Sequence, residues 1–138
     1  MVVDGDGDGD GDDFAQPVIP AGDGAAMLSF QKLDVYQCAI QFLALAAQLL
    51  TTIPRGHAPM ADQLRRAALS VPLNIAEAAG GTSEAHAARH YAIARGSAME
   101  CAAIMDAMRI LDLVGEEAHA RAIGLLGRTV AMTTKLCR

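Results

Sequence analysis

Five polar residues in the middle of the chain share one face of a predicted helix. They fall within an arc of about 80° on a helical projection and are Gln63, Arg66, Ser70, Asn74 and Glu77. A solvated face would be richer in Lys and Glu. This stripe mixes a cation, an anion, two amides and a hydroxyl, which can satisfy one another or a neighbouring helix. It could form a ligand or RNA-backbone site, but we favour a polar network that fixes helix register or subunit orientation.

Further members of this network lie beside the stripe and on a later helix. Arg65 adjoins the stripe, and Ser97 and Glu100 lie three residues apart on a later helix. The Glu100 carboxylate could form an ion pair with Arg65 or Arg66. The predicted network therefore comprises Gln63, Arg65, Arg66, Ser70, Asn74, Glu77, Ser97 and Glu100.

Two histidines, His86 and His90, have the i, i+4 spacing of a metal-binding pair on a helix. A metal ion would need further ligands, which His57 or His119 would have to supply from elsewhere in the chain. Two exposed histidines on an alanine-rich face are the simpler interpretation. The sequence therefore predicts no metal site and no cofactor, although a small-molecule- or metal-binding bundle is the alternative function.

No group of residues predicts catalysis. Ser97 follows Gly96 but lacks the second glycine and the preceding strand of a nucleophile elbow. The Gly80-Gly81 pair lacks the lysine of a phosphate-binding loop. We therefore expect that the protein is not an enzyme and has no catalytic residues.

Apolar periodicity predicts the elements that position these residues. A first helix begins at Phe30 and ends near Pro54, with an apolar seam of Leu33, Tyr36, Ile40, Leu43, Ala47 and Leu50. A second helix covers about 59–79, with Leu64, Ala68, Val71, Ile75 and Ala78 as its seam; Pro72 should kink it or remove a backbone hydrogen bond. Gly80-Gly81 should end it.

A third and a fourth helix follow. Ser83 is the expected N-cap of the third, which ends near Gly115 and has Ala87, Tyr91, Ala94, Ala98, Cys101, Met105 and Met108 as its seam. The fourth begins at Glu116 and carries two overlapping seams, so one of them is expected to face a second subunit. Four helices with short connections predict an all-α, antiparallel up-down four-helix bundle.

The net negative charge of the chain comes from its N-terminal residues, which include a low-complexity Asp/Gly run. The chain has 11 Lys+Arg and 16 Asp+Glu, a net charge of −5. Seven of the aspartates fall in residues 1–24, which leaves 11 − 9 = +2 on the remainder. The register of the run does not supply the glutamate of an EF-hand calcium loop. We predict a disordered acidic tail over 1–26 and a bundle domain over 27–138.

Cysteine usage and hydropathy indicate the compartment. Three dispersed cysteines, Cys38, Cys101 and Cys137, form no disulfide or zinc pattern and favour a reducing compartment. The most apolar stretch, 39–50, is too short to cross a bilayer. The sequence predicts a cytoplasmic protein without membrane association.

Three segments carry a resemblance to a known family. They are Phe30-x-x-Leu33-x-Val35-Tyr36, the run from Gln63-Leu64-Arg65-Arg66-Ala67-Ala68 through Ser70-Val71 to Asn74-Ile75-Ala76-Glu77, and Ser83 followed by Ala94-x-Gly96-Ser97-x-x-Glu100. Over about residues 29–115 the chain resembles bacterial four-helix-bundle proteins encoded in intervening sequences of 23S ribosomal RNA genes. That family is similar in turn to the accessory protein of diversity-generating retroelements.

The resemblance implies an antiparallel bundle that assembles as a homopentamer. It gives no established activity for most members. Together with the residues, it leads us to expect a non-enzymatic interaction or scaffold protein that assembles with itself, with structured RNA or an RNA-associated protein as its partner.

Overall fold

The computed structural model describes residues 27–138, in which all regular structure is helical. Four long helices follow one another: α1 (Asp34–Leu50), α2 (Ala58–Gly80), α3 (Glu84–Ile110) and α4 (Glu116–Leu136). Short 3₁₀ turns, Ser29–Lys32 and Arg55–His57, precede α1 and α2. The predicted disordered tail, 1–26, lies outside the described residues.

The helices pack in a closed square. α1 contacts α2 and α4, and α3 contacts the same two helices, whereas within residues 27–138 the diagonal pairs do not approach each other. Short connections join consecutive helices, so neighbours run antiparallel. The predicted up-down four-helix bundle is confirmed.

The core lies along the axis of this square. All the predicted seam residues of α2 are buried, and those of α3 are buried apart from half-buried Ala87. α4 contributes to the core from both of its predicted seams. Two of its buried residues are threonines, whose hydroxyls donate to the carbonyl oxygens one turn earlier, from Thr129 to Leu125 and from Thr133 to Thr129. Core threonines therefore need no partner on another helix.

The prediction for α1 is wrong in its start and in its buried face. Leu33 has an extended backbone (φ −69°, ψ 132°), so the α-helix begins at Asp34 and not at Phe30. Its buried apolar stripe runs through Val35, Cys38, Ala39, Phe42 and Ala46, beside the predicted seam, and Ala47 is exposed. α1 is apolar around most of its circumference, so periodicity alone does not fix which face is buried.

α2 continues without a break past Pro72, which is buried. α3 ends at Ile110 and not near Gly115 as predicted. Asp112 takes a left-handed conformation (φ 58°), while the amides of Leu113 and Asp112 donate to the carbonyl oxygens of Met108 and Arg109. This is a Schellman motif, which satisfies the last carbonyls of the helix and stops it.

Candidate functional site: the polar seam between α2 and α3

Four pairs of polar side chains connect α2 to α3. The pairs are Gln63 with Glu100, Ser70 with Ser97, Asn74 with His90, and Glu77 with His86. Residue numbers rise along α2 while those of the partners fall along α3, as antiparallel helices require. We call these eight residues the polar seam. Six of them belong to the predicted network, and the two histidines are additions that the structure makes.

The centre of the seam is the most protected from solvent. The hydroxyl oxygens of Ser70 and Ser97 lie 2.8 Å apart, and both residues are partly buried. The Asn74 amide nitrogen donates to the Ser70 carbonyl oxygen at 2.9 Å and lies 3.1 Å from the Ser70 hydroxyl. A hydroxyl pair between two helices favours one register, because a shift along either helix would break the hydrogen bond between Ser70 and Ser97.

The two arginines contribute differently from what was predicted. Arg65 pairs with Asp62 at 2.7 Å, and Arg66 donates to Gln63 at 3.2 Å, both within α2. The Glu100 carboxylate accepts a hydrogen bond from Gln63. The expected pairing of Glu100 with an arginine is therefore wrong. Exposed pairs within one helix contribute little to stability, so the arginines lie at the rim of the seam.

At the other end of the seam, the last turn of α2 meets the first turns of α3. The Glu77 Oε1 and His86 Nε2 atoms are 3.3 Å apart, and the ring centroids of His86 and His90 are 4.4 Å apart. One ligand-capable atom from each of the three residues lies within 4.8 Å of the other two. We call Glu77, His86 and His90 the corner cluster.

The predicted sources of further ligands are elsewhere. His57 lies in the 3₁₀ turn before α2, at the opposite end of that helix, and His119 Nε2 contacts the Asp106 carboxylate at 2.8 Å. Glu77 was predicted as a network residue but not as a neighbour of the histidines. The sequence carries only part of this signal: the short Gly80-Gly81 turn brings the end of α2 close to the start of α3, but the offset that pairs 77 with 86 is set by packing.

Two local features hold His86 in place. The Ser83 hydroxyl accepts a hydrogen bond from the His86 backbone amide at 3.1 Å, which confirms Ser83 as the N-cap of α3. Gly81 lies against the imidazole, since a Cβ at this position would be 2.3 Å from His86 Cδ2. The absent side chain of Gly81 therefore makes the space that the ring fills.

Asn74 determines which nitrogen of His90 carries a proton. Its amide nitrogen donates to the Ser70 carbonyl, so its Oδ1 atom is the one that faces His90 Nδ1 at 2.9 Å. A carbonyl-type oxygen accepts only, so His90 Nδ1 must donate. In the neutral ring, Nε2 then keeps its lone pair.

The α3–α4 side of the bundle differs in character. A shallow groove between these helices is almost wholly apolar and is lined by Met99, Ala102, Ile123, Leu126, Gly127 and Val130. Two leucines of α2, Leu69 and Leu73, are exposed on the face of that helix turned away from the core. Residues 27–138 thus present these two apolar surfaces, in addition to an apolar groove between the start of α1 and the end of α4 that is lined by Leu33, Val35 and Met132.

The cysteines behave as core residues. Cys38 and Cys101 are fully buried, and Cys137 is half-buried. Burial raises the pKa of the Cys101 thiol to about 12, and the neighbouring Glu100 carboxylate acts in the same direction. A thiol of such high pKa stays protonated and unreactive at neutral pH.

These features define an all-helical bundle whose helices are held in register by one polar interface. The chain matches the family of the 23S rRNA-intervening sequence protein over residues 31–135 and belongs to it. Comparison with curated proteins finds no match. No helix within residues 27–138 is long and apolar enough to cross a membrane.

Proposed function

We propose that this protein is a non-enzymatic, cytoplasmic scaffold that assembles into a homopentamer and binds structured RNA. The observation that carries the assembly is the pair of separate apolar surfaces. One is the outer face of α2 with Leu69 and Leu73, and the other is the α3–α4 groove around Met99. Large exposed apolar surfaces are unfavourable on a soluble monomer and usually mark interaction sites.

The placement of the two surfaces favours a ring. They lie on different helices, so α2 of one copy can cover the α3–α4 groove of the next. Such head-to-tail contacts generate closed rings when the rotation closes. The number five comes from the family resemblance, and the placement of the two surfaces supports the head-to-tail mode.

RNA is the partner that the charge distribution favours. The chain outside 1–24 has 11 basic and nine acidic residues, so this part of five copies would have a net charge of 5 × 2 = +10. All but two of those bases are arginines, which suit bidentate contacts with phosphate. In a ring, the weak positive potential of each subunit would add to that of its neighbours.

Complementation between two surface variants tests the assembly. Met99→Glu should prevent binding through the α3–α4 groove, and Leu69→Glu should prevent binding through the α2 face. Each variant alone should therefore be a folded monomer by light scattering. Mixed together, they should form a dimer, because one intact face and one intact groove remain to pair. Ala131→Glu, on an exposed position of α4, is the matched control and should keep the parental mass. Parental mass in both surface variants would refute the head-to-tail ring.

A titration at two salt concentrations tests RNA binding. The full chain and a variant with the seven aspartates of 1–24 changed to Asn should both bind a structured ribosomal RNA fragment. Affinity should fall steeply with salt, since binding releases counterions, and the Asn variant should bind more tightly. No binding by either protein would contradict an RNA partner and favour an RNA-associated protein.

A further inference from the structure

We propose that Glu77, His86 and His90 bind a divalent transition-metal ion of the zinc class at the corner between α2 and α3. This inference goes beyond the proposed scaffold function and does not depend on it. Its basis is the corner cluster, in which two imidazoles and one carboxylate from two different helices converge within 4.8 Å.

The donor set determines the class of metal. Two imidazoles with one carboxylate suit Zn²⁺, Co²⁺ or Ni²⁺, whereas Ca²⁺ and Mg²⁺ prefer oxygen ligands only. Three protein ligands leave a coordination position for water. Glu77 is exposed, with 59% of its side chain accessible, and His86 is partly exposed at 37%, so an ion can enter from solvent.

The histidine rings are oriented for this role by their neighbours. Asn74 accepts from His90 Nδ1, which leaves the Nε2 lone pair as the free donor of that ring. Metal-bound histidines commonly donate a hydrogen bond from their other ring nitrogen to such an oxygen. This hydrogen bond fixes the tautomer and raises the basicity of the ligand. Asn74 is held in turn by Ser70, so the support extends into the polar seam.

His86 is held from two further directions. Its backbone amide is capped by Ser83, and its ring lies against Gly81 with no room for a Cβ between them. Its Nε2 atom already faces the Glu77 carboxylate at 3.3 Å. The ligand-capable atoms of these two groups and of His90 lie within 4.8 Å of one another, so the three side chains would close further around an ion that they share.

An ion at this position would join the end of α2 to the start of α3. Because the three ligands come together only in the folded bundle, binding would stabilise the native state in proportion to the free metal concentration. Metal availability would thus control how firmly this corner is held, without altering the packed core.

Cobalt and zinc titrations of the full-length, tag-free protein test the site. We expect Co²⁺ to give absorption bands typical of nitrogen and oxygen ligands, Zn²⁺ to displace it, and Zn²⁺ to raise the melting temperature. Glu77→Gln and His90→Ala should each lower the affinity by more than about 100-fold, since losing a supporting residue already costs about 10–100-fold. His119→Ala, which removes another histidine paired with a carboxylate, should bind cobalt as the parent does.

Gly81→Ala separates metal binding from folding. Its backbone (φ −73°, ψ 158°) suits any residue, but the new Cβ must displace the His86 ring. We expect nearly unchanged melting without metal and a marked loss of cobalt affinity. The seven aspartates of residues 1–24 are possible competing ligands. The titration is therefore repeated with the variant in which they are changed to Asn, and this variant should still bind cobalt.

Several results would overturn the proposal. They are unchanged cobalt spectra in the Glu77 and His90 variants, loss of binding in the Asn variant of the N-terminal run, or a thiolate charge-transfer band that identifies Cys137 as the ligand. Absence of any cobalt or zinc binding by the parent protein at micromolar concentrations would do the same.

Discussion

The two sides of α3 differ in how they hold their neighbours. Toward α2, α3 presents hydroxyl, amide, carboxylate and imidazole groups that pair one to one across the interface. Toward α4 it packs mainly through apolar side chains, with polar contacts from Arg95 to Thr134 and from Asp106 to His119. Both interfaces therefore bury core residues, but the α2–α3 interface adds a row of polar pairs that favours one register, while the α3–α4 interface leaves an open apolar groove.

The largest effect should come from truncating the apolar side. Leu126 is 1% exposed and lines the groove. Leu126→Ala should lower the free energy of unfolding by about 2–5 kcal/mol, through lost burial and a residual cavity. Urea denaturation followed by circular dichroism measures this. Ile110→Ala, at a position that is 85% exposed, is the control and should change stability by no more than about 0.5 kcal/mol.

Alkaline pH tests the core that both sides share. Folding raises the pKa of Cys101 from 9.0 to about 12, so above pH 9 the unfolded chain releases a proton that the native chain retains. Stability contributed by this group is therefore complete below pH 9 and decreases as pH rises toward 12, by up to about 1.4 kcal/mol per pH unit. Unfolding curves across this range should show a shallower decrease for Cys101→Ala. An equal slope in both proteins would contradict the assignment.

The polar side should yield smaller, coupled effects. Ser70→Ala and Ser97→Ala should each destabilise by about 1 kcal/mol, because each removes the hydrogen bond that joins α2 to α3 between partly buried hydroxyls. The double variant should cost less than the sum, since both single changes remove the same hydrogen bond. A double-mutant cycle from urea titrations measures the coupling. Strict additivity would mean that the hydroxyl pair does not contribute to register.

The smallest effect concerns the turn that joins the apolar pair, α3 and α4. Asp112 adopts φ 58°, a conformation that costs any residue with a Cβ more than it costs glycine. Asp112→Gly should raise the free energy of unfolding by about 0.5–1 kcal/mol, seen as a higher melting temperature in calorimetry. Asp112→Ala keeps the Cβ and should give no such gain.

The two sides also differ in how far the sequence predicts them. The core seams of α2 and α3 follow from the sequence because a narrow apolar stripe alternates there with polar residues. The buried face of α1 does not, since Phe42, Leu43 and Leu45 offer the helix several equivalent apolar faces. The prediction of a helix end fails where the turn depends on one residue in an unusual conformation, as at Asp112.

The polar seam was predictable in part for a related reason. Its α2 members share a face, which spacing within a helix reveals. Which α3 residue lies opposite each of them depends on the offset between two helices, and that offset is set by packing. Glu100 therefore meets Gln63 and not an arginine, and Glu77 joins the histidines.

The closed square of helices has a consequence for connectivity. Residues from the start of α1 and the end of α4, including Leu33 and Leu136, line one shallow groove, so the described chain enters and leaves the bundle at neighbouring points. A linker that joins the two ends would complete a circle, and the backbone could be reopened at the exposed turn near Asp112. A circular permutant with its new ends at this turn should therefore retain the packing of the four helices.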